Sequence, residues 1–218
     1  VYRFGTNTNT GGLTKLGAGT MTLAGVNSYG GLTTVSNGAL VFANAAGTNL
    51  LAGGINGPGG ISQNGAGTTI LGGDGAGFTG VVNANDGVLQ FATTSAMPRA
   101  ASSVVIGGGG AVAIDGPGIQ GVLNNWQISP ASAGALALTA NTANENIDFS
   151  TPSMSALSLG AVGTVTYGGT FVPDPSGYRL GGGGGTLIYT NAITTLGLTV
   201  GLEGGWPGTG RVPNVAST

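Results

Sequence analysis

Gly11-Gly12-Leu13-Thr14-Lys15-Leu16-Gly17-Ala18-Gly19-Thr20 returns 48 residues later as Gly59-Gly60-Ile61-Ser62-Gln63-Asn64-Gly65-Ala66-Gly67-Thr68, with all four glycines in place. The match continues at an offset of 49, where Tyr29, Gly31, Gly38, Leu40 and Phe42 meet Phe78, Gly80, Gly87, Leu89 and Phe91. Aromatic, glycine and apolar positions all keep their character, so this is an internal repeat. Between Leu40 and Phe42 the apolar residues alternate with period two, the side-chain period of a strand. Matched positions Leu13/Ile61, Leu23/Leu71, Leu40/Leu89 and Phe42/Phe91 are expected to stack in rows inside a solenoid, with Val41/Gln90 facing outward. A coil built from short strands and turns takes about 20–25 residues, so one repeat is expected to supply about two rungs.

The rest of the composition agrees. Each of the 47 glycines would cost about 0.5–1 kcal/mol inside a helix or strand. A domain is stable by only about 5–15 kcal/mol, so most glycines belong in turns. Turns that frequent leave little room for helices. Alternating segments at 21–23, 33–35, 40–42, 112–114, 165–167 and 187–189 read as strands. Within 135–151, the longest stretch without Gly or Pro, Leu136 and Leu138 are two apart, as are Ile147 and Phe149; two strands joined near 141–145 are expected. Asn37-Gly38, Asn56-Gly57 and Asn64-Gly65 read as turns.

The residues at 11–23, followed by Asn27-Ser28-Tyr29-Gly30-Gly31-Leu32-Thr33-Thr34-Val35, resemble the autotransporter-associated β-strand repeat of bacterial surface and secreted proteins. The second copy departs by placing Asn64 where Leu16 stands. The resemblance spans roughly 11–43 and 60–92. It implies a right-handed parallel β-helix passenger exported across the cell envelope, hence an extracellular or cell-surface location. A β-solenoid is expected over 1–103, with 104–218 continuing as solenoid or a β-sandwich-like segment of the same unit. Val1-Tyr2-Arg3-Phe4-Gly5 has no initiator Met and no signal-peptide pattern, and reads as the start of a mature fragment. Tyr2-Arg3-Phe4-Gly5 recurs as Tyr178-Arg179-Leu180-Gly181, as though cut from a longer array.

Only 6% of residues are charged, and the net charge is −2. With no cationic stripe to release counterions, nucleic acid is not an expected partner. No apolar run approaches the ~20 residues of a membrane-spanning helix. Cysteine and histidine are both absent, which removes disulfides, zinc sites and the commonest general base.

The seven carboxylates are Asp74, Asp86, Asp115, Glu145, Asp148, Asp174 and Glu203. Paired acids cleave polysaccharides, but only Glu145 and Asp148 are close in sequence, and their odd spacing puts them on opposite faces of a strand. Asn144, Glu145, Asn146 and Asp148 offer hard oxygens suited to calcium; a self-bonded turn is the plainer reading. Residues 72–77 carry the glycines of a calcium-binding roll with the acid out of register. Glycine runs 181–185 and 107–110 lack the Lys-Ser/Thr or helix of a phosphate cradle and read as turns or close backbone contacts. Trp126 and Trp206 would suit sugar stacking if exposed, against burial as the ordinary fate. Lys15, Arg3, Arg99, Arg179 and Arg211 form no cluster and read as solvated or carbonyl-bonded. No catalytic, cofactor or metal residue is assigned. The expected function is a structural stalk, scaffold or self-associating fibre subunit, with an adhesin or a glycan-binding or glycan-cleaving β-helix as the alternative.

Overall fold

The computed structural model describes residues 10–193 and 196–201. Residues 2–5, Arg3, Glu203, Trp206 and Arg211 lie outside them. Every strand pairing among the described residues is parallel. Parallel neighbours need a crossover between them, and here the crossover is the remainder of each coil. The chain is an all-β parallel solenoid.

The first three coils show three faces. The first face holds Leu13–Lys15, Thr33–Val35 and Ile55–Asn56. The second holds Thr20–Leu23, Ala39–Phe42 and Gly60–Gln63, and continues into Val82–Phe91 and Val104–Ile114. The third is the longest ladder, running through nine strands: Ser28–Tyr29, Thr48–Leu51, Thr68–Leu71, Val82–Phe91, Val104–Ile114, Ala135–Leu138, Ser158–Ala161, Tyr178–Leu180 and Leu198–Val200. Two strands are long because they cross from the second face to the third. A one-residue register shift between Ala84 and Asp86 absorbs that corner, as a β-bulge does. Glycines 107–110 lie inside Val104–Ile114 at this corner, so the stretch is a bulged strand and not the expected turn, while the expected close backbone contact holds between Gly110 and the Ala84 backbone.

Period-two alternation sets the core. Asn49, Thr69, Leu89, Val112, Leu136, Leu159 and Leu180 form one inward row of register partners, all of them buried. Each buried aliphatic side chain is worth about 1.5–3 kcal/mol. The last coils add aromatic packing: Phe149 meets Phe171 edge-on at 5.1 Å, and Tyr167 stacks on Tyr189 at 6.0 Å. On the outward side of the third face, Val88, Ala111, Ala113, Ala135 and Ala137 make a second small cluster with Val162. Gln90 points outward as expected but is only 7% exposed, because it lies in this covered row.

The rows differ from expectation in one respect. Leu13/Ile61, Leu23/Leu71, Leu40/Leu89 and Phe42/Phe91 do not stack on each other. Leu40 is in register with Ile61, and Leu89 with Thr69. The first copy begins on the first face and the second copy begins on the second. Register partners are 19 residues apart from Thr20 to Ala39 and 24 from Ala111 to Ala135. The repeat therefore spans seven strand positions, two coils and one further face, and each copy is turned by one face relative to the last. Matched residues keep their inward orientation, and Phe42 and Phe91 are both fully buried.

The strands expected at 21–23, 33–35, 40–42, 165–167 and 187–189 fall within Thr20–Leu23, Thr33–Val35, Ala39–Phe42, Thr164–Tyr167 and Thr186–Tyr189. A short helix at Ile119–Asn124 was not expected. It packs Ile119, Val122 and Leu123 into the core.

Candidate functional site

The repeat's own polar residues act on its turns. Lys15 ends the first strand pointing inward and is buried. Its ammonium donates to the carbonyls of Leu16 at 2.8 Å, Gly17 at 2.7 Å and Asn37 at 3.2 Å. Gln63 holds the matched position in the second copy, and its amide donates to Gly65 O at 2.7 Å and Gly67 O at 3.2 Å. Two chemically different side chains thus close the same turn. Around Gln63 the core is polar and satisfied: Asn49 Nδ2 donates to Asn44 Oδ1 and Thr69 Oγ1, and Thr69 Oγ1 donates to Gln63 Oε1. Buried amides and hydroxyls are tolerated only when paired in this way.

The six carboxylates of the described residues each accept hydrogen bonds from the chain's own backbone or side chains. Asp74 accepts from Ala76 N, Asp86 from Gly87 N, and Asp115 from Thr139 Oγ1 and Asn141 Nδ2. Glu145 reaches back one coil to Gly118 N, while Asp148 turns to Ser150 N and Oγ. Glu145 and Asp148 therefore take different partners. The proposed calcium set divides likewise, since Asn146 Oδ1 accepts from Thr170 N. Among the described residues no group of three or more acidic, Cys or His side chains is placed to hold a metal. Asp174 is buried and accepts from Ser153 Oγ and from Ser176 N. The Ser153 hydroxyl, more than any other partner, holds its carboxyl below the ordinary carboxylate range. Arg99 pairs with Asp74 at 3.5 Å with both side chains largely exposed, a geometry worth little.

Burial pushes the phenols of Tyr29, Tyr167 and Tyr189 above their ordinary value, Tyr167 furthest. The Tyr167 hydroxyl lies 2.8 Å from the carbonyls of both Glu145 and Thr170. Glycines 181 to 184 all have positive φ, and Gly183 approaches the Ala137 methyl so closely that no side chain fits. They make a close backbone contact. Trp126 is the described large side chain with a different character: it is 48% exposed and has φ +58. A non-glycine residue held there costs about 1–3 kcal/mol.

Fold and turn chemistry together define a parallel β-solenoid repeat protein. Residues 13–42 and 61–91 each match the model of the passenger-associated-transport-repeat family, so the chain carries two copies similar to that repeat. No curated protein and no solved structure matches it. The lysine clamp was not legible beforehand, because nothing in a single Thr-Lys pair says that the ammonium points inward. The Lys15/Gln63 correspondence, both long hydrogen-bond donors before a Gly-x-Gly turn, was the signal available.

Proposed function

We propose that this chain is an extracellular, non-catalytic structural segment, a rigid column that works as a stalk or scaffold on the bacterial surface. The observation that carries the reading is the nine-strand ladder, whose rise of about 4.8 Å per strand gives a column roughly 40 Å tall. The engagement of each described carboxylate by the chain's own hydrogen-bond donors, within a turn or across coils, supports the absence of catalysis. The passenger-type repeat supports export. Low charge weakens repulsion between copies, which favours side-by-side or end-to-end self-association into fibres.

The test is made on the producing cells. Protease shaving and immunogold labelling are expected to find the chain outside the envelope, and reducing-sugar release from a polysaccharide panel is expected to stay at background. An intracellular chain, or one that releases sugar, would sink the proposal. Light scattering at high concentration separates a passive stalk, which stays monomeric, from a fibre subunit.

A further inference from the structure

At the corner where each coil enters the second face, the parallel register aligns Gly19, Gly38, Gly59, Gly80, Ser102 and Trp126 in one column. Four coils in succession solve this corner with glycine. The fifth uses Ser102 at φ +54 and the sixth uses Trp126 at φ +58, the two non-glycine residues with positive φ among those described. They are directly stacked, with Ser102 N donating to Trp126 O at 2.6 Å, while Trp126 N donates to Leu123 O at 2.9 Å. The indole is therefore mounted on a backbone fixed from both sides, in a left-handed conformation that Gly38 alone of the column's four glycines shares and that side chains ordinarily avoid. Folding does not ask for a tryptophan here, and half of its surface is left in solvent.

We infer that Trp126 is a platform for the face of a neutral sugar ring, making this corner a contact site for an uncharged polysaccharide. The surroundings choose that occupant. Asn124 and Asn125 on one side and Ala100, Ala101 and Ser102 on the rung below are exposed, offering amides and a hydroxyl for sugar hydroxyls around a flat apolar surface. The closest charged side chain in that segment, Arg99, is paired with Asp74. A protein partner needs a patch of about 800 Å², whereas most other exposed large apolar side chains belong to the end coils, at Leu16, Val26, Leu32, Leu196, Leu198 and Val200. Val81 lies two rungs below.

The test titrates the full chain carrying Trp206→Phe, so that emission reports Trp126 alone, with cellohexaose, laminarihexaose and an anionic oligogalacturonate. A neutral hexasaccharide is expected to shift the emission, the anionic one to bind at least tenfold more weakly, and Trp126→Gly to weaken retention on immobilised neutral glucan at least tenfold. Because glycine takes φ +58 without steric cost, Trp126→Gly should melt at or above the parent temperature. Unchanged retention in Trp126→Gly, no response to either neutral hexasaccharide at millimolar concentration, or a lowered melting temperature in both Trp126→Gly and Trp126→Asn would each overturn the assignment, the last by making the ring structural.

Discussion

At the scale of single residues, the fold rests on which glycines are needed for conformation and which for space. Gly17 has φ +71 with open space where a Cβ would go, whereas Gly38, at φ +68, lies against the backbone of Ala18 and Gly19 in the coil beside it. Gly17→Ala should therefore cost about 1–2 kcal/mol, the left-handed penalty alone. Gly38→Ala should cost clearly more, since backbone in the neighbouring coil must move as well; equal losses in urea melts would contradict this. Lys15 gives a second comparison. Lys15→Met leaves the carbonyls of Leu16, Gly17 and Asn37 without their donor and should cost about 1–3 kcal/mol. Lys15→Gln should lose less than half of that, because Gln63 closes the matched turn with an amide. A glutamine variant as unstable as the methionine one would show that the ammonium charge, not the clamp, is what counts. The glycine-rich turns could be read in the sequence because a residue type reports local backbone freedom, but the inward direction of Lys15 could not, because it depends on the coil above.

At the scale of elements, strands were legible wherever apolar residues alternate, as at 40–42 and 187–189. The bulged corner at 107–110 and the helix Ile119–Asn124 were not. Four glycines carry no alternation to read, and six residues beginning after Gly118 and containing Gly121 are too few to show helical periodicity. Some of the turns that join the elements are carboxylate-bonded, which makes one of them sensitive to acid. Asp174 is held below the ordinary carboxylate range chiefly by the Ser153 hydroxyl, then by Ser176 N. A group depressed in the folded state contributes stability above its unfolded value, near 3.9, and loses it as pH falls through the folded value. Asp174→Asn should therefore melt below wild type at pH 6, and the gap should narrow steadily from pH 4 to pH 2. A gap that stays constant over that range would remove Asp174 from the account of acid stability.

At the scale of the whole molecule, the sequence showed the period but not the number of faces, and that is why the expected rows were misplaced. A repeat of 48 or 49 residues looks like two rungs when each coil is assumed to take about 24, yet the N-terminal coils take 19 to 22 and leave one face over. Local strand and turn rules are therefore the same on all faces, while the long-range register belongs to the coil. This separates two deletions that the sequence alone would rank the other way. Removing 43–91 joins Phe42 to Ala92 at matched repeat positions, but it skips the third face of the second coil and leaves the column one face out of phase. Removing 52–91 takes out two whole coils and joins Leu51 to Ala92, and Leu51, Leu71 and Phe91 are successive partners in one row. The 52–91 deletion should keep a strand-rich circular dichroism spectrum and a single cooperative melt. The 43–91 deletion should lose cooperativity, because the rungs on either side of the junction can no longer hydrogen-bond on all faces. If the repeat-matched deletion folds as well as the coil-matched one, the sequence repeat and not the coil is the unit of stability, and the three-faced register described for the first coils is wrong.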